Sequence, residues 1–229
     1  MLYYHPALRS RRGISSMNSR IRRRNAAVSG NDSMIVISDH KNIKGDFLME
    51  NKTKIYTLTT YAIVAALLCI FGPISIPIGP IPVSLTILII CLSVYLVGMK
   101  GAVISYCIYL LLGAFGLPVF SGYQGGLAKL AGPTGGYLIG FIPLALISGF
   151  FFEKTKGNLI WTVIGMIIGI DVDYVFGTAW LVIQMDCEIG YALSVCVIPF
   201  IPIDLAKVVI ANILGKLVRK PLLKAGLVS

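Results

Sequence analysis

The stretch GLPVFSGYQGGLAKLAGPTGGYLIGF, residues 116–141, decides the fold. It lies between apolar runs that read as membrane helices, yet it cannot be one itself. Seven of its first twenty-one residues are glycine, and Pro118 and Pro133 interrupt any helix. Irregular backbone at a membrane must be buried in protein or line a wet cavity, because lipid cannot satisfy its N–H and C=O groups. The stretch therefore predicts a folded loop that caps or binds something.

The composition around it is that of a polytopic membrane protein. Hydrophobic residues make up 56% of the 229 and charged residues 13%, with a mean hydropathy of +0.84. This length allows roughly six spans at about 20 residues each. The net charge of +10 is concentrated at one end. Residues 1–54 hold 11 Lys/Arg against 4 Asp/Glu, and residues 55–229 hold 9 against 6. A nucleic-acid partner is therefore not expected, because only the tail could support it.

Five cysteines, Cys69, Cys91, Cys107, Cys187 and Cys196, show no metal or redox spacing and read as small apolar fillers. Both histidines, His5 and His40, precede the apolar region. That argues against a membrane metalloenzyme, and no metal or cofactor is expected.

Residues 1–48 form a basic tail, with RSRR and RIRRR and no acid before Asp32. A targeting segment would look similar. A disordered tail, or an extension upstream of the true start, is preferred, with Met49 the favoured start among Met17, Met34 and Met49. Residues 49–229 then form the membrane domain. Its six apolar segments span about 55–71, 83–97, 102–115, 137–152, 159–184 and 191–218. A Pro/Gly-rich link, GPISIPIGPIP, joins the first two, and GMKG at 98–101 is a tight turn. Pro199 and Pro202 interrupt the sixth segment, which reads as an outer half-helix followed by a span. Short, interrupted spans suggest helices bordering a cavity.

Loop charge sets the orientation. With the N-terminus inside, the inner loops hold Lys52, Lys54, Lys100, Lys154, Lys156, Lys216, Arg219, Lys220 and Lys224. The outer loops hold Lys129 against Asp186 and Glu188. This positive-inside pattern puts both termini in the cytoplasm. It gathers the Gly-rich loop, the 72–82 link and the start of the sixth segment on one outer face.

Ionisable residues within spans are functional hypotheses by default. Asp204 and Lys207 are three apart and share a helix face. Pro202 suggests a helix start there, so Asp204 could instead be a helix cap. Asp171 and Asp173 are about 200° apart on a helix, so they cannot both face one cavity. The spacing does not decide which does; Asp173 is carried into the candidate set. Trp180 could anchor at the interface or wall a cavity. In the Gly-rich loop, Gln124 offers a donor and an acceptor, and Phe120, Tyr123 and Tyr137 offer flat apolar faces. GPTGG is not a nucleotide-binding loop, since GxxxxGK[ST] is absent. Ala62 and Ala66 form a small-xxx-small pair that lets a partner helix approach.

Four motifs in order, IPIGPIPVSL, the Gly-rich stretch, YVFGTAWL and PFIPIDLAK, resemble the BioY family. These are biotin-specific substrate-binding (S) components of energy-coupling-factor (ECF) transporters. The likeness covers about residues 55–220; the tail before Met49 has no counterpart. It implies an all-α, six-helix membrane bundle with an outer Gly-rich loop capping a ligand cavity. It implies a multi-pass place in the cytoplasmic membrane, in contact with lipid. It also implies three partners: a transmembrane coupling protein and two cytoplasmic ATPase subunits. Ala62 and Ala66 match the AxxxA pattern that docks on the coupling protein.

The ligand residues the resemblance implies are Thr86, Phe120, Gln124, Tyr137, Asp173, Trp180, Asp204 and Lys207. Asp204 could accept from a ureido N–H of biotin. Lys207 or Gln124 could donate to the ureido carbonyl, or Lys207 could pair with the carboxylate. Phe120, Tyr137 and Trp180 could flank the rings. Two departures bear on specificity: Gln124 stands where a smaller polar residue is common, and Thr86 where Gln is common. Biotin uptake as an S component is the leading reading, with another vitamin or small heterocycle as the alternative. An enzyme using Asp171 and Asp173, and a structural subunit without ligand, fit the pattern less well.

Overall fold

The computed structural model describes residues 55–78 and 81–224. The expected basic tail at 1–48 and the start at Met49 lie outside the described residues.

Helix α1, Ile55–Phe71, is apolar and 17 residues long, short for a full crossing. The chain then makes a hairpin where the sequence predicts only a link. Strands β1, Ser75–Ile78, and β2, Ile81–Ser84, pair antiparallel, with Ile76 opposite Val83 and Pro77 opposite Pro82. Proline cannot donate to a ladder, which hides such a strand from propensity arguments. The near-palindrome SIPI-GP-IPVS nevertheless has the two-residue period of a strand. Ile81 and Val83 are buried, so β2 turns one face inward.

Helix α2 runs from Thr86 to Ala114 but breaks at Gly98, whose φ of 69° and ψ of −172° are non-helical. The break falls where GMKG predicts a turn and divides the element into two apolar limbs. The Gly98 geometry suits glycine. The Met99 amide, which begins the second limb, donates to Glu153 Oε1 at 2.8 Å. That bond ties the break to the end of α4.

The Gly-rich stretch, expected to be irregular throughout, contains the single turn α3, Leu127–Ala131, and runs into the long helix α4, Gly135–Lys154, which α5, Leu159–Met185, follows. The Asn158 side chain caps α5 by accepting from the Ile160 amide at 3.1 Å. Where the sequence suggests a half-helix and then a span stand α6, Ile189–Cys196, and α7, Phe200–Lys224, which meet at a bend of 43° and are long and apolar enough to cross only when taken together. Among the described residues, three helices (α2, α4 and α5) are long and apolar enough to cross a membrane, or four if α6 and α7 form one span.

Helices α4 and α5 run antiparallel at close range. A Cβ on Gly136 would lie 2.3 Å from Trp180 Cβ, and one on Gly140 would lie 2.3 Å from Asp173 Oδ1. Small residues permit this approach, which holds α5 against α4. The core between α2, α4 and α5 is aromatic. Tyr106 stacks edge-on to Phe141 at 5.9 Å, and Tyr109 edge-on to Phe120 at 5.6 Å.

Candidate functional site

The Gly-rich loop is anchored by backbone. Tyr109 donates to the Val119 carbonyl at 2.9 Å, the Gly122 amide donates to Pro73 O at 3.0 Å, and the Gly126 amide donates to Gly113 O at 2.6 Å. The loop is thereby fastened to α2 and to the approach to the hairpin. Trp180 holds its far end, donating from Nε1 to the Gly132 carbonyl at 2.9 Å.

Beneath loop and hairpin lies a cavity. Strand β2 and the start of α2 supply Ile81, Val83, Ser84 and Thr86. The loop and α4 supply Ser121, Thr134, Tyr137 and Phe141, and α5 and α7 supply Asp173, Tyr174, Phe200, Asp204 and Lys207. Pro82, Ile87, Tyr109 and Leu138 complete the wall. Ten of the seventeen lining residues are apolar or aromatic, and seven are polar or charged, a mixture that suits a small molecule with polar ends.

The polar floor is a short network. Lys207 Nζ donates to Asp204 Oδ1 at 2.8 Å, and the Tyr174 hydroxyl donates to Asp204 Oδ2 at 2.7 Å. Asp204 and Lys207 are buried. Helix α7 begins at Phe200, so Asp204 sits beyond the first turn and is not the cap that Pro202 suggested. Pro202 lies where a helix needs no amide donor and is tolerated there.

Asp173 is different. It is 1% exposed, lines the same cavity, and neither carboxylate oxygen has a hydrogen-bond partner. Buried carboxylates are normally paired, so an unpaired one lining a cavity calls for an explanation. Asp171, two residues earlier, is exposed on the opposite face of α5, so the 200° argument is resolved with Asp173 inward.

Of the eight residues expected at the ligand, Thr86, Tyr137, Asp173, Asp204 and Lys207 line this cavity. Thr86 Oγ1 accepts from Ser84 Oγ at 3.0 Å, and the Tyr137 hydroxyl lies 3.4 Å from Thr178 Oγ1. Phe120 is fully buried behind the wall against Tyr109. Gln124 is exposed, and its backbone N–H and C=O pair with the backbone of Phe120. Trp180 packs on Gly136 and braces the loop.

Sequence reasoning missed Tyr174, Tyr109, Ser84 and Thr134. Tyr174 adjoins Asp173 and was within reach of a reading that paired buried acids with hydroxyl donors. The others depend on the hairpin and on the loop's path. On α1, Ala62 and Ala66 are exposed while Ala65 is buried, so the small pair faces outward.

The chain resembles known proteins over most of its length. The BioY family pattern matches residues 49–224. A biotin transporter BioY of Thermotoga maritima is 39% identical over 158 residues, covering 69% of this chain and 92% of that protein. BioY2 of Lactococcus lactis subsp. cremoris is 34% identical over 167 residues, covering 73% and 91%. The crystal structure at 2.1 Å of the S-component for biotin from an ECF-type ABC transporter superposes with a TM-score of 0.69 at 34% identity. That match covers 74% of this chain and 94% of the other. The chain belongs to the BioY family.

Proposed function

We propose that this protein captures biotin and carries it across the cytoplasmic membrane as the S component of an ATP-driven ECF importer. It is a binding and translocation protein, not an enzyme. The observation that carries this reading is the floor where the Asp204, Lys207 and Tyr174 network meets the unpartnered Asp173 under an aromatic wall. A ureido ring offers N–H donors and one carbonyl acceptor. Asp173 is free to take a donor, and Asp204 keeps acceptor capacity beyond its two bonds. Lys207 uses one of its donors on Asp204 and can give another to the ureido carbonyl. Tyr137, Tyr174 and Phe141 flank the bicycle. In this reading Phe120, Gln124 and Trp180 act through the loop that they hold, and Thr86 sets the hairpin side of the site.

In the proposed topology α1, the two limbs of α2, α4, α5 and the α6–α7 pair form six spans. The Gly-rich loop and hairpin cap the outer face, and both termini are cytoplasmic. Ala62 and Ala66 form the face for a transmembrane coupling protein, which two ATPase subunits drive.

Isothermal titration of the purified protein tests the assignment. Stoichiometric biotin binding is expected, with Asp204→Asn and Lys207→Ala each weakening it at least tenfold. Unchanged affinity in both variants would sink the site. A competition panel of other vitamins and desthiobiotin distinguishes biotin from another small heterocycle.

A further inference from the structure

Asp171 sits where a carboxylate is costly. Helix α5 is one of the helices long and apolar enough to cross a membrane. Asp171 lies twelve residues from its start at Leu159 and fourteen from its end at Met185, about 18 Å and about 21 Å of rise. The hydrocarbon core is about 30 Å thick, so a crossing α5 carries Asp171 close to the midplane. The residue is exposed, and Trp161, Ile168, Val175 and Ile183, which share its face, are exposed with it. Its side chain is too short to reach the headgroups as a lysine or arginine can.

Nothing within the bundle accounts for it. Among the described residues no ion pair or side-chain hydrogen bond engages Asp171. It does not line the cavity, and it lies too far along α5 to cap the free amides of the first turn. Carboxylates inside a membrane face a bundle interior or pair with another group. Here Asp173 takes the interior, and the outward stripe is otherwise apolar. Charge complementarity then calls for a cation on whatever covers that stripe. A second copy of this chain does not supply one. The cation within its spans, Lys207, is buried and paired with Asp204. The other described cations lie beside the Gly98 break, in loops, at the end of α4 or in the last turns of α7.

We infer that the outward face of α5 around Asp171 receives a transmembrane helix of another protein, one that brings a lysine or arginine side chain to the bilayer midplane. Away from water such a pair is held far more strongly than at a surface. The surface is separate from the one proposed for Ala62 and Ala66. Helix α1 is fastened to the second limb of α2, where Ser105 donates to the Tyr61 carbonyl at 2.9 Å, whereas α5 packs along α4. It also lies across α5 from the cavity, which Asp173 faces, so a helix seated there leaves the ligand site free. The inference does not depend on which ligand the cavity takes.

Energy transfer in phosphatidylcholine vesicles tests this. The full chain carries the donor, and synthetic leucine–alanine transmembrane helices with lysine, leucine or glutamate at the centre carry the acceptor. The lysine helix is expected to associate at least tenfold more strongly than the other two. Asp171→Leu should abolish that preference and Asp171→Glu should keep it. Both variants should bind biotin within twofold of the unaltered chain, which also reports that they are folded. Ala62→Leu with Ala66→Leu should leave the preference intact. Equal association of the lysine and leucine helices with the unaltered chain would overturn the inference, as would a preference that survives Asp171→Leu. Energy transfer between two labelled copies of the chain that Asp171→Leu abolishes would make a second copy the occupant and overturn it too. Biotin affinity lost in both Asp171 variants would assign the residue to the cavity and end the docking proposal.

Discussion

Lys207 and Asp204, one helical turn apart on α7, form a buried 2.8 Å ion pair whose free carboxylate oxygen takes the Tyr174 hydroxyl. The network links α7 to α5 at the floor of the cavity. Removing one member leaves the other charge buried without its partner, which typically costs about 3–5 kcal/mol. Lys207→Met and Asp204→Leu should each lower the unfolding midpoint in detergent. The double variant should recover much of that loss while binding no biotin. A double variant as unstable as the singles would show that the pair does not act as a unit.

Asp173 should behave oppositely. Its two oxygens are buried and unpartnered, so the folded protein gains nothing from the charge. Asp173→Asn is expected to raise the unfolding midpoint and to weaken biotin binding at least tenfold. Thermal unfolding and titration on the same preparation read both. A variant that loses stability and keeps affinity would make Asp173 a structural residue.

How much of this was legible follows from where each signal lives. The buried acids and Lys207 were legible because charge inside an apolar run is conspicuous at any register. The break at Gly98 was legible because GMKG is local turn chemistry. The hairpin was missed because Pro77 and Pro82 count against a strand unless their opposition is seen, and that is a pairing between segments. Phe120, Gln124 and Trp180 were expected at the ligand because residue type marks them as able to stack or bond. Type does not say which way a loop turns. The path of the loop is set by bonds such as Gly122 N–H to Pro73 O and Gly126 N–H to Gly113 O, which no spacing encodes.

Gly140 tests how tightly the site depends on helix packing. An added Cβ would lie 2.3 Å from Asp173 Oδ1 and 3.2 Å from its Cα. Gly140→Ala should push α5 away from α4 and turn the Asp173 carboxylate out of place. Overpacking of this kind costs about 1–3 kcal/mol. Affinity should fall at least tenfold, although Gly140 offers no side chain to a ligand. The reference is Ile139→Ala, one residue earlier and exposed, which should change affinity less than twofold. Equal effects from the two substitutions would remove the packing argument.

The outward face of α1 separates capture from coupling. Ala62 and Ala66 are exposed one turn apart, while Val64, Ala65 and Leu68 are buried in the bundle. A helix that presents small residues outward leaves room for another backbone to approach closely, and larger residues there hold it off. Ala62→Leu combined with Ala66→Leu should leave the biotin affinity of the isolated protein within twofold of the original, because neither residue lines the cavity. The same variant should no longer copurify with a coupling protein or support biotin uptake by cells. Retained copurification and uptake would move the docking face elsewhere. Lost biotin affinity would mean that these alanines shape the bundle and not its surface.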